Sequence, residues 1–263
     1  MPINLQETFL DSDGRFYPIV IGGERHEYIS VTTVLDLGRT KGFLDQWEHE
    51  MLELLGVDGM KKYMRRKADE GTALHTLIER YLAERAKAHP QPLDRKELKD
   101  IPDVTNLVWR KLLRWQEWWD EENRKAPVSV DWMEKVVHSE AHQLAGRSDG
   151  RMKLEDGTWI IDYKSGKSQE KHKMQLAAYI KMEEEMTGEK LTGGLILSLG
   201  EETRSGWKTT EIRNDKVHKN SSRGESEVDH YFRGFMNLKQ VVEWEFPKIG
   251  PNHRELPRYI LPH

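Results

Sequence analysis

Apolar residues in the first half of the chain recur every three or four positions, which is the spacing of an amphipathic helix. This pattern extends over residues 30–88, and its clearest helix covers 71–88. A further helix is predicted over 104–123, and we interpret its tryptophans as core residues and not as a platform for base stacking. One more set of apolar residues is expected to share a helix face: Leu44, Trp47, Met51, Leu54 and Leu55.

After Pro127 the spacing of apolar residues changes to about two, which is typical of strands. The dipeptide Asp156-Gly157 predicts a hairpin turn within this region. Near the start of the chain, Gly22-Gly23 predicts a turn between strands over 16–21 and 26–30. The other predicted elements are strands over 130–138, 142–154, 157–163, 193–199 and 207–212, helices over 169–187 and 225–244, and an extended tail over 247–263.

The order of these elements predicts one α/β domain with helical additions, because no internal repeat and no linker divides the 263 residues. A chain of this length can bury a substantial core. We divide it into an N-terminal hairpin over 1–30, a helical region over 31–126, a catalytic α/β core over 127–212, and a C-terminal helix and tail over 213–263.

The composition excludes several classes of protein. Hydrophobic residues make up 37% of the chain, which indicates a folded globule. The absence of cysteine excludes disulfides, thiolate zinc sites and iron–sulfur clusters. No apolar run approaches the ~18 residues needed to span a bilayer, and the N-terminal residues lack the pattern of a signal peptide. We therefore expect a soluble intracellular protein, in the cytoplasm of a bacterial host or a comparable compartment, without membrane partners.

The charge is distributed unevenly along the chain. A net charge of −4 does not indicate a nucleic-acid binder, because such domains are often strongly basic. Residues 61–67, however, carry five cations and no acid. Since a run of this kind is most often a solvated helix face, charge alone leaves the function open.

The residues that most strongly indicate chemistry lie on one predicted hairpin. Asp162 and Lys164 alternate with Tyr163 along a strand, so their side chains point to the same face. Asp149 lies on the preceding strand, within reach across the hairpin. Two carboxylates beside an ammonium would bind a hard cation such as Mg²⁺ or Mn²⁺. Asp-x-Lys alone is common, however, and by itself indicates only a surface ion pair worth under ~1 kcal/mol.

Two predicted helices add polar pairs spaced one turn apart, His75 with Glu79 and Gln175 with Tyr179. The motifs then occur in this order along the chain: Gly71-Thr-x-x-His-x-x-Ile-Glu, Gly146-x-x-Asp, Asp162-x-Lys-Ser-Gly and Gln175-x-x-x-Tyr. This set, over residues 30–199, resembles the RecB-type branch of the PD-(D/E)XK nuclease superfamily. Within that branch the chain is most similar to the cysteine-free exonucleases of phage and of mitochondrial genome maintenance.

The resemblance implies a fold and an activity. The expected fold is α/β, a restriction-endonuclease-like mixed sheet flanked by helices, with helical additions at the N-terminus. The expected activity is that of a DNA exonuclease, in which Mg²⁺ or Mn²⁺ activates a water that hydrolyses phosphodiester bonds. The expected partners are single-stranded DNA or duplex ends, and other proteins of DNA replication, recombination or repair.

The resemblance also implies roles for individual residues. The metal would be held by His75, Asp149, Asp162 and the backbone carbonyl of Tyr163, and the first three would be catalytic together with Lys164. Supporting roles would fall to Glu134, Gln175, Tyr179 and Glu79. The expected DNA-binding residues are Lys61, Lys62, Arg65, Arg66, Arg147, Arg151, Ser165, Lys167 and Lys171.

Other functions stay open on the sequence alone. The fold could bind DNA without cutting it, although intact Asp149, Asp162 and Lys164 speak against this, or it could act as an endonuclease. A metal phosphohydrolase of nucleotides is disfavoured, because the chain contains neither His-Asp nor His-Glu-x-x-His. In a purely structural protein, the charged pairs would only tie the sheet together.

Overall fold

The N-terminal hairpin forms one end of the central sheet. The computed structural model describes residues 9–11, 14–38, 43–89, 91–200 and 205–246. Strand β1 (Phe9–Asp11) pairs with β2 (Gly14–Ile21), and β2 pairs with β3 (Glu24–Ser30), both in antiparallel register. Gly22 and Gly23 have φ angles of 58° and 92°, so the predicted Gly-Gly turn is confirmed.

Five further strands complete a mixed sheet. They are β4 (Ser129–Ser139), β5 (Leu144–Leu154), β6 (Gly157–Lys164), β7 (Gly193–Ser198) and β8 (Lys208–Arg213). Hydrogen-bonded neighbours follow the order β1-β2-β3-β5-β6-β7-β8, and β4 pairs with β5 outside this path. The pairs β3–β5 and β6–β7 are parallel and the others antiparallel. The parallel β3–β5 pair places the hairpin beside the strand that carries Asp149.

Helices α2 (Phe43–Arg85) and α3 (Asn106–Lys125) pack on one face of the sheet. Helix α3 begins where the Thr105 side chain accepts the backbone N–H of Val108. Its tryptophans are buried with apolar residues of α2 and the sheet, and the Trp115 ring lies 6.1 Å from that of Tyr163. The interpretation of these tryptophans as core residues is confirmed.

The opposite face is covered by α1 (Val31–Leu37), α4 (Glu170–Thr187) and α5 (Glu227–Glu245). Leu176 on α4 packs among the buried side chains of this layer, which include Ile160 and Ile196 of the sheet. A Cβ on Gly194 would lie 2.4 Å from the Leu176 side chain, so this glycine lets α4 approach β7 closely. The predicted architecture, a mixed sheet flanked by helices, is confirmed.

Most predicted elements agree with the observed ones to within a few residues, and the largest difference lies in α2. The helical pattern predicted over 30–88 forms two helices, and in the second, which begins at Phe43, Gly56 interrupts the regular backbone with a φ of 66°. Leu54 and Leu55 of the predicted apolar face lie on this helix but are 76% and 40% exposed, so that face is not buried at these positions. The side chains of Leu44 and Trp47, and the tail over 247–263, lie outside the described residues. None of the helices described is long and apolar enough to cross a membrane.

Candidate active site

Asp162 and Lys164 form an ion pair near the end of β6. Because strand residues two apart share a face, both side chains point toward α4, where the Lys164 ammonium lies 3.0 and 2.9 Å from the two carboxylate oxygens of Asp162. The ammonium also donates to Oε1 of Gln175 at 3.3 Å. Asp162 is 1% exposed, and burial of an acid at this depth requires such a partner. The predicted proximity of Asp162 and Lys164 is observed.

Asp149 reaches the same region from β5. One of its carboxylate oxygens accepts the backbone N–H of Tyr163 at 2.7 Å, which fixes the side chain across the hairpin. Burial raises the pKa of Asp149; the nearby His75 and Lys164 oppose this effect, whereas Asp162 and Glu134 reinforce it. The carboxylate thus lies where a further positive charge would be favourable.

His75 approaches from α2, in the layer on the other face of the sheet. Its Nδ1 lies 3.0 Å from a Glu134 oxygen and 3.6 Å from an Asp149 oxygen, and its Nε2 lies 3.3 Å from the backbone carbonyl of Tyr163. Burial disfavours the charged imidazole, but Asp149 and Glu134 outweigh it and raise the pKa of His75 to about 9. Two carboxylates and a carbonyl therefore surround one imidazole.

Glu134 occupies an irregular position on β4. Its φ is 48°, a left-handed conformation that non-glycine residues rarely adopt and that costs about 1–3 kcal/mol. In this conformation the carboxylate forms an ion pair with Arg147, 2.8 Å from its Nε, and lies beside His75. Strained backbone of this kind is often found at functional sites. The sequence assigned Glu134 only a supporting role.

His75, Glu134 and Asp149 each offer a ligand atom, and these three atoms all lie within 4.8 Å of one another. Imidazole nitrogen and carboxylate oxygen are suitable ligands for a divalent cation. One buried oxygen of the neighbouring Asp162 accepts no hydrogen bond of good geometry among the described residues, although it lies 2.9 Å from the Lys164 ammonium. The donor set fits a hard divalent metal.

Gln175 and Tyr179 extend the chain of contacts along α4. The Gln175 amide donates to the Tyr179 hydroxyl at 3.1 Å while its oxygen accepts from Lys164, so the two residues orient the ammonium. The Tyr179 ring lies against Gly146, where a Cβ would be 2.6 Å from a ring carbon. The glycine at the start of the Gly146-x-x-Asp motif is thus required by packing.

Comparison with known families identifies this arrangement. The sequence profile of the PD-(D/E)XK nuclease superfamily matches residues 46–253. The chain belongs to this superfamily. The segment Asp162-Tyr163-Lys164 has the D-x-K form of the superfamily's name. PD-(D/E)XK nucleases cleave nucleic acids with divalent metals, typically Mg²⁺, so the substrate class and the need for a metal follow from membership.

The other comparisons add little. No curated protein matches the chain. Among solved structures, the chain is similar to the crystal structure of SSO0001, with 12% identity over 67% of this chain and 86% of that chain. The TM-score is 0.28, a likeness too weak to carry an argument.

The site of this nuclease opens into a cleft of about 510 Å³. Of the residues proposed from the sequence, the cleft is lined by His75, Glu79, Glu134, Arg147, Asp149, Lys164, Gln175 and Tyr179. Sequence reasoning missed Arg15, Tyr17 and Thr32, which the parallel β3–β5 pair brings to the cleft wall. The range of the family resemblance, 30–199, includes Thr32 but neither Arg15 nor Tyr17.

Two cations expected to bind DNA have other contacts. Arg151 is 8% exposed and forms ion pairs with Asp131, Glu183 and Glu189 beside α4, contacts that speak against its predicted role in DNA binding. Lys171 pairs with Asp36 at 3.4 Å and lines a separate groove near α5, and its contact with DNA stays a prediction.

The remaining expected DNA-binding residues lie outside the cleft wall. Lys61, Lys62, Arg65 and Arg66 are exposed on α2, where Lys67 is the member of the basic run that lines the cleft. Ser165 and Lys167 follow β6 and do not line the cleft either. Their contact with DNA stays a prediction.

Proposed function

We propose that this nuclease is a DNA exonuclease of the RecB-type branch, which hydrolyses phosphodiester bonds with Mg²⁺ or Mn²⁺. The branch is supported by the order of the motifs around His75, Asp149, Asp162 and Gln175. The observation that carries the proposal is the group of ligand atoms from His75, Glu134 and Asp149, which opens into the same cleft as Lys164. The same resemblance supports a role with DNA replication, recombination or repair proteins.

The metal would be held by His75, Glu134 and Asp149, joined by Asp162 and the carbonyl of Tyr163. When bound, the cation neutralises charge on the scissile phosphate and lowers the pKa of a water molecule. Glu134 is included as a ligand because its irregular backbone directs the carboxylate to His75.

The protein's own groups position the reacting phosphate. The Lys164 ammonium, held by Asp162 and Gln175, supplies positive charge where negative charge develops on the phosphate oxygens. Burial lowers the pKa of Lys164, but Asp162 and Asp149 outweigh this effect and raise it, so the lysine keeps its charge. The hydrogen bond from Tyr163 to Asp149 prevents this carboxylate from turning away.

The activity is tested with end-labelled linear DNA and covalently closed circular DNA of the same sequence. With Mg²⁺ or Mn²⁺, linear strands should be shortened progressively from an end, whereas circles should stay intact. EDTA should abolish the reaction. Cleavage of the circles would favour an endonuclease, and no cleavage of either substrate, with binding preserved, would favour a DNA-binding protein without activity. Matched RNA strands test the choice of nucleic acid.

The metal site is tested by thermal unfolding with and without Mn²⁺. A ligand that binds only the folded state at a hundred times its Kd stabilises it by about 2.7 kcal/mol. Asp149→Asn should lose most of this stabilisation, because the site loses a negative charge. Asp36→Asn, an exposed carboxylate paired with Lys171, is the control and should keep it. Equal stabilisation of both variants would contradict the ligand set.

A further inference from the structure

Arg15 is held firmly at the wall of the cleft by its backbone. Its N–H donates to the Thr33 hydroxyl at 2.8 Å, and the same hydroxyl donates to the Arg15 carbonyl at 3.4 Å. Thr33 belongs to the first turn of α1, where Ser30 accepts its backbone N–H. Strand β2 is therefore fixed to the start of α1 at the residue where Arg15 faces the cleft.

The cleft is lined by four cations, and three of them have acidic partners. Lys164 pairs with Asp162, Arg147 with Glu134 at 2.8 Å, and Lys67 with Glu70 at 3.3 Å. Arg15 is different: its exposed guanidinium has no carboxylate within ion-pair distance among the side chains that the structure describes. A guanidinium can bind two oxygens of one phosphate at once, and Arg15 need not first break an ion pair with any of the described side chains.

The cleft has room for more than the group that reacts. Its volume of about 510 Å³ lies within the ~300–1,000 Å³ range of pockets that enclose small-molecule ligands. Under the proposed function, the scissile phosphate is bound by Lys164 and by the metal that His75, Glu134 and Asp149 would hold. Arg15 comes from β2, an element that contributes neither to the ligand group nor to the contacts of Lys164.

We propose that Arg15 is a positioning residue that binds a backbone phosphate of the substrate strand other than the one being cleaved. This inference rests on the proposed function, because it requires a nucleic-acid strand in the cleft. Arg15 then fixes the register of the strand, and so determines which phosphate reaches Lys164. Loss of its side chain removes charge-assisted hydrogen bonds to the substrate and leaves the metal ligands unchanged.

The test combines Arg15→Gln with oligonucleotides in which one phosphate at a time is replaced by a neutral methylphosphonate. In the wild-type nuclease, one replacement away from the cleaved bond should slow single-turnover cleavage at subsaturating enzyme by roughly 10–100-fold, the range for a hydrogen bond to a charged group. In Arg15→Gln that replacement should have no further effect, because its partner is already gone. Arg15→Lys should keep part of the effect.

Controls distinguish the loss of the Arg15 contact from a general loss of folding or activity. Arg25→Gln removes a cation from the same hairpin at a position that does not line the cleft, and it should keep the wild-type pattern. Mn²⁺ binding and the melting temperature of Arg15→Gln should equal those of the wild type. The logarithmic salt dependence of binding should fall by about 0.7–0.9, the value for one phosphate contact.

Two failures can be told apart. If the wild type cleaves DNA but Arg15→Gln shows the same methylphosphonate penalties at every position, the role of Arg15 is overturned. If the wild type cleaves no nucleic acid with Mg²⁺ or Mn²⁺, the proposed function itself fails, and the inference fails with it.

Discussion

Two clusters of charge lie side by side on β5, one around Arg151 and one around Asp149. In the first, Glu183 is fully buried and its carboxylate accepts from Arg151, Lys135 and Trp132 at 3.0, 3.3 and 3.1 Å. In the second, Glu134 and Asp149 both approach Nδ1 of His75, which carries at most one proton.

The difference distinguishes a structural ion network from a site that binds a ligand. The Arg151 cluster satisfies its carboxylates with side chains of the protein and is covered by α4. The Asp149 cluster has more carboxylate oxygens than donors and opens into the cleft. A buried cluster of this second kind is stabilised when a cation enters, so the same strand carries both a structural element and the proposed metal site.

The largest expected effect is on catalysis. Lys164→Ala should reduce single-turnover cleavage by at least about 10²–10³-fold, the loss found when one preorganised charge donor is removed. Lys153→Ala, an exposed cation on β5 that does not line the cleft, is the matched control and should cleave at the wild-type rate. Circular dichroism should show that both variants stay folded. Wild-type cleavage by Lys164→Ala would refute the catalytic assignment.

For the Arg151 cluster, the effect is expected on stability and not on catalysis. Glu183→Ala leaves Arg151 and Lys135 without their shared buried partner and should lower the free energy of unfolding by about 3–5 kcal/mol. Cleavage per folded molecule should not change. Urea unfolding measures the first quantity, and Glu121→Ala, which removes an exposed pair with Lys125, should lose at most about 1 kcal/mol. A large loss of activity with little loss of stability would show that the Arg151 cluster contributes to catalysis and is not purely structural.

The sequence predicted the Asp149 cluster better than the Arg151 cluster. The pair of Asp162 and Lys164 depends on strand alternation, and Asp149 on pairing across a short hairpin, so local rules suffice. The ion pairs of Arg151 could not be predicted because its partners Glu183 and Glu189 are distant in sequence, and a charge pattern does not reveal which cations are already paired.

The missed cleft residues have a similar explanation. Arg15 reaches the site because β3 pairs in parallel with β5, and a parallel pairing over so long a separation leaves no periodic signal. The strained backbone of Glu134 is equally invisible, since nothing in the strand pattern indicates a left-handed residue. Periodicity predicted α2 in part, but it could not indicate that Leu54 and Leu55 face solvent.

A smaller effect is expected where α4 meets the sheet at the edge of the site. Gly146→Ala places a Cβ within 2.6 Å of the Tyr179 ring and should destabilise the fold by about 1–3 kcal/mol through overpacking. Because Tyr179 holds Gln175, which in turn contacts Lys164, cleavage should also slow. Gly166→Ala, whose Cβ would meet open space, is the control for thermal unfolding and activity. Equal stability and equal cleavage rates of the two variants would show that a shift of α4 against the sheet affects neither quantity.

The smallest effect concerns His172, at the start of α4. Burial, and then the positive charge of Lys164, lower the pKa of His172 from 6.5 to about 4, and its Nδ1 accepts the backbone N–H of Gln169 at 3.0 Å. The folded state therefore binds fewer protons than the unfolded state between pH 6.5 and 4. The stability contributed by neutral His172 is complete above pH 6.5 and declines as the pH falls toward 4.

His172→Gln should flatten this part of the pH profile of the unfolding free energy, because glutamine does not titrate. Its effect near pH 8 should be confined to the lost cap contact. His26→Gln, a half-buried histidine on β3, controls for removal of a histidine and should keep the wild-type slope. An unchanged slope in His172→Gln would mean that other groups cause the decline, and that burial and the charge of Lys164 do not make His172 its source.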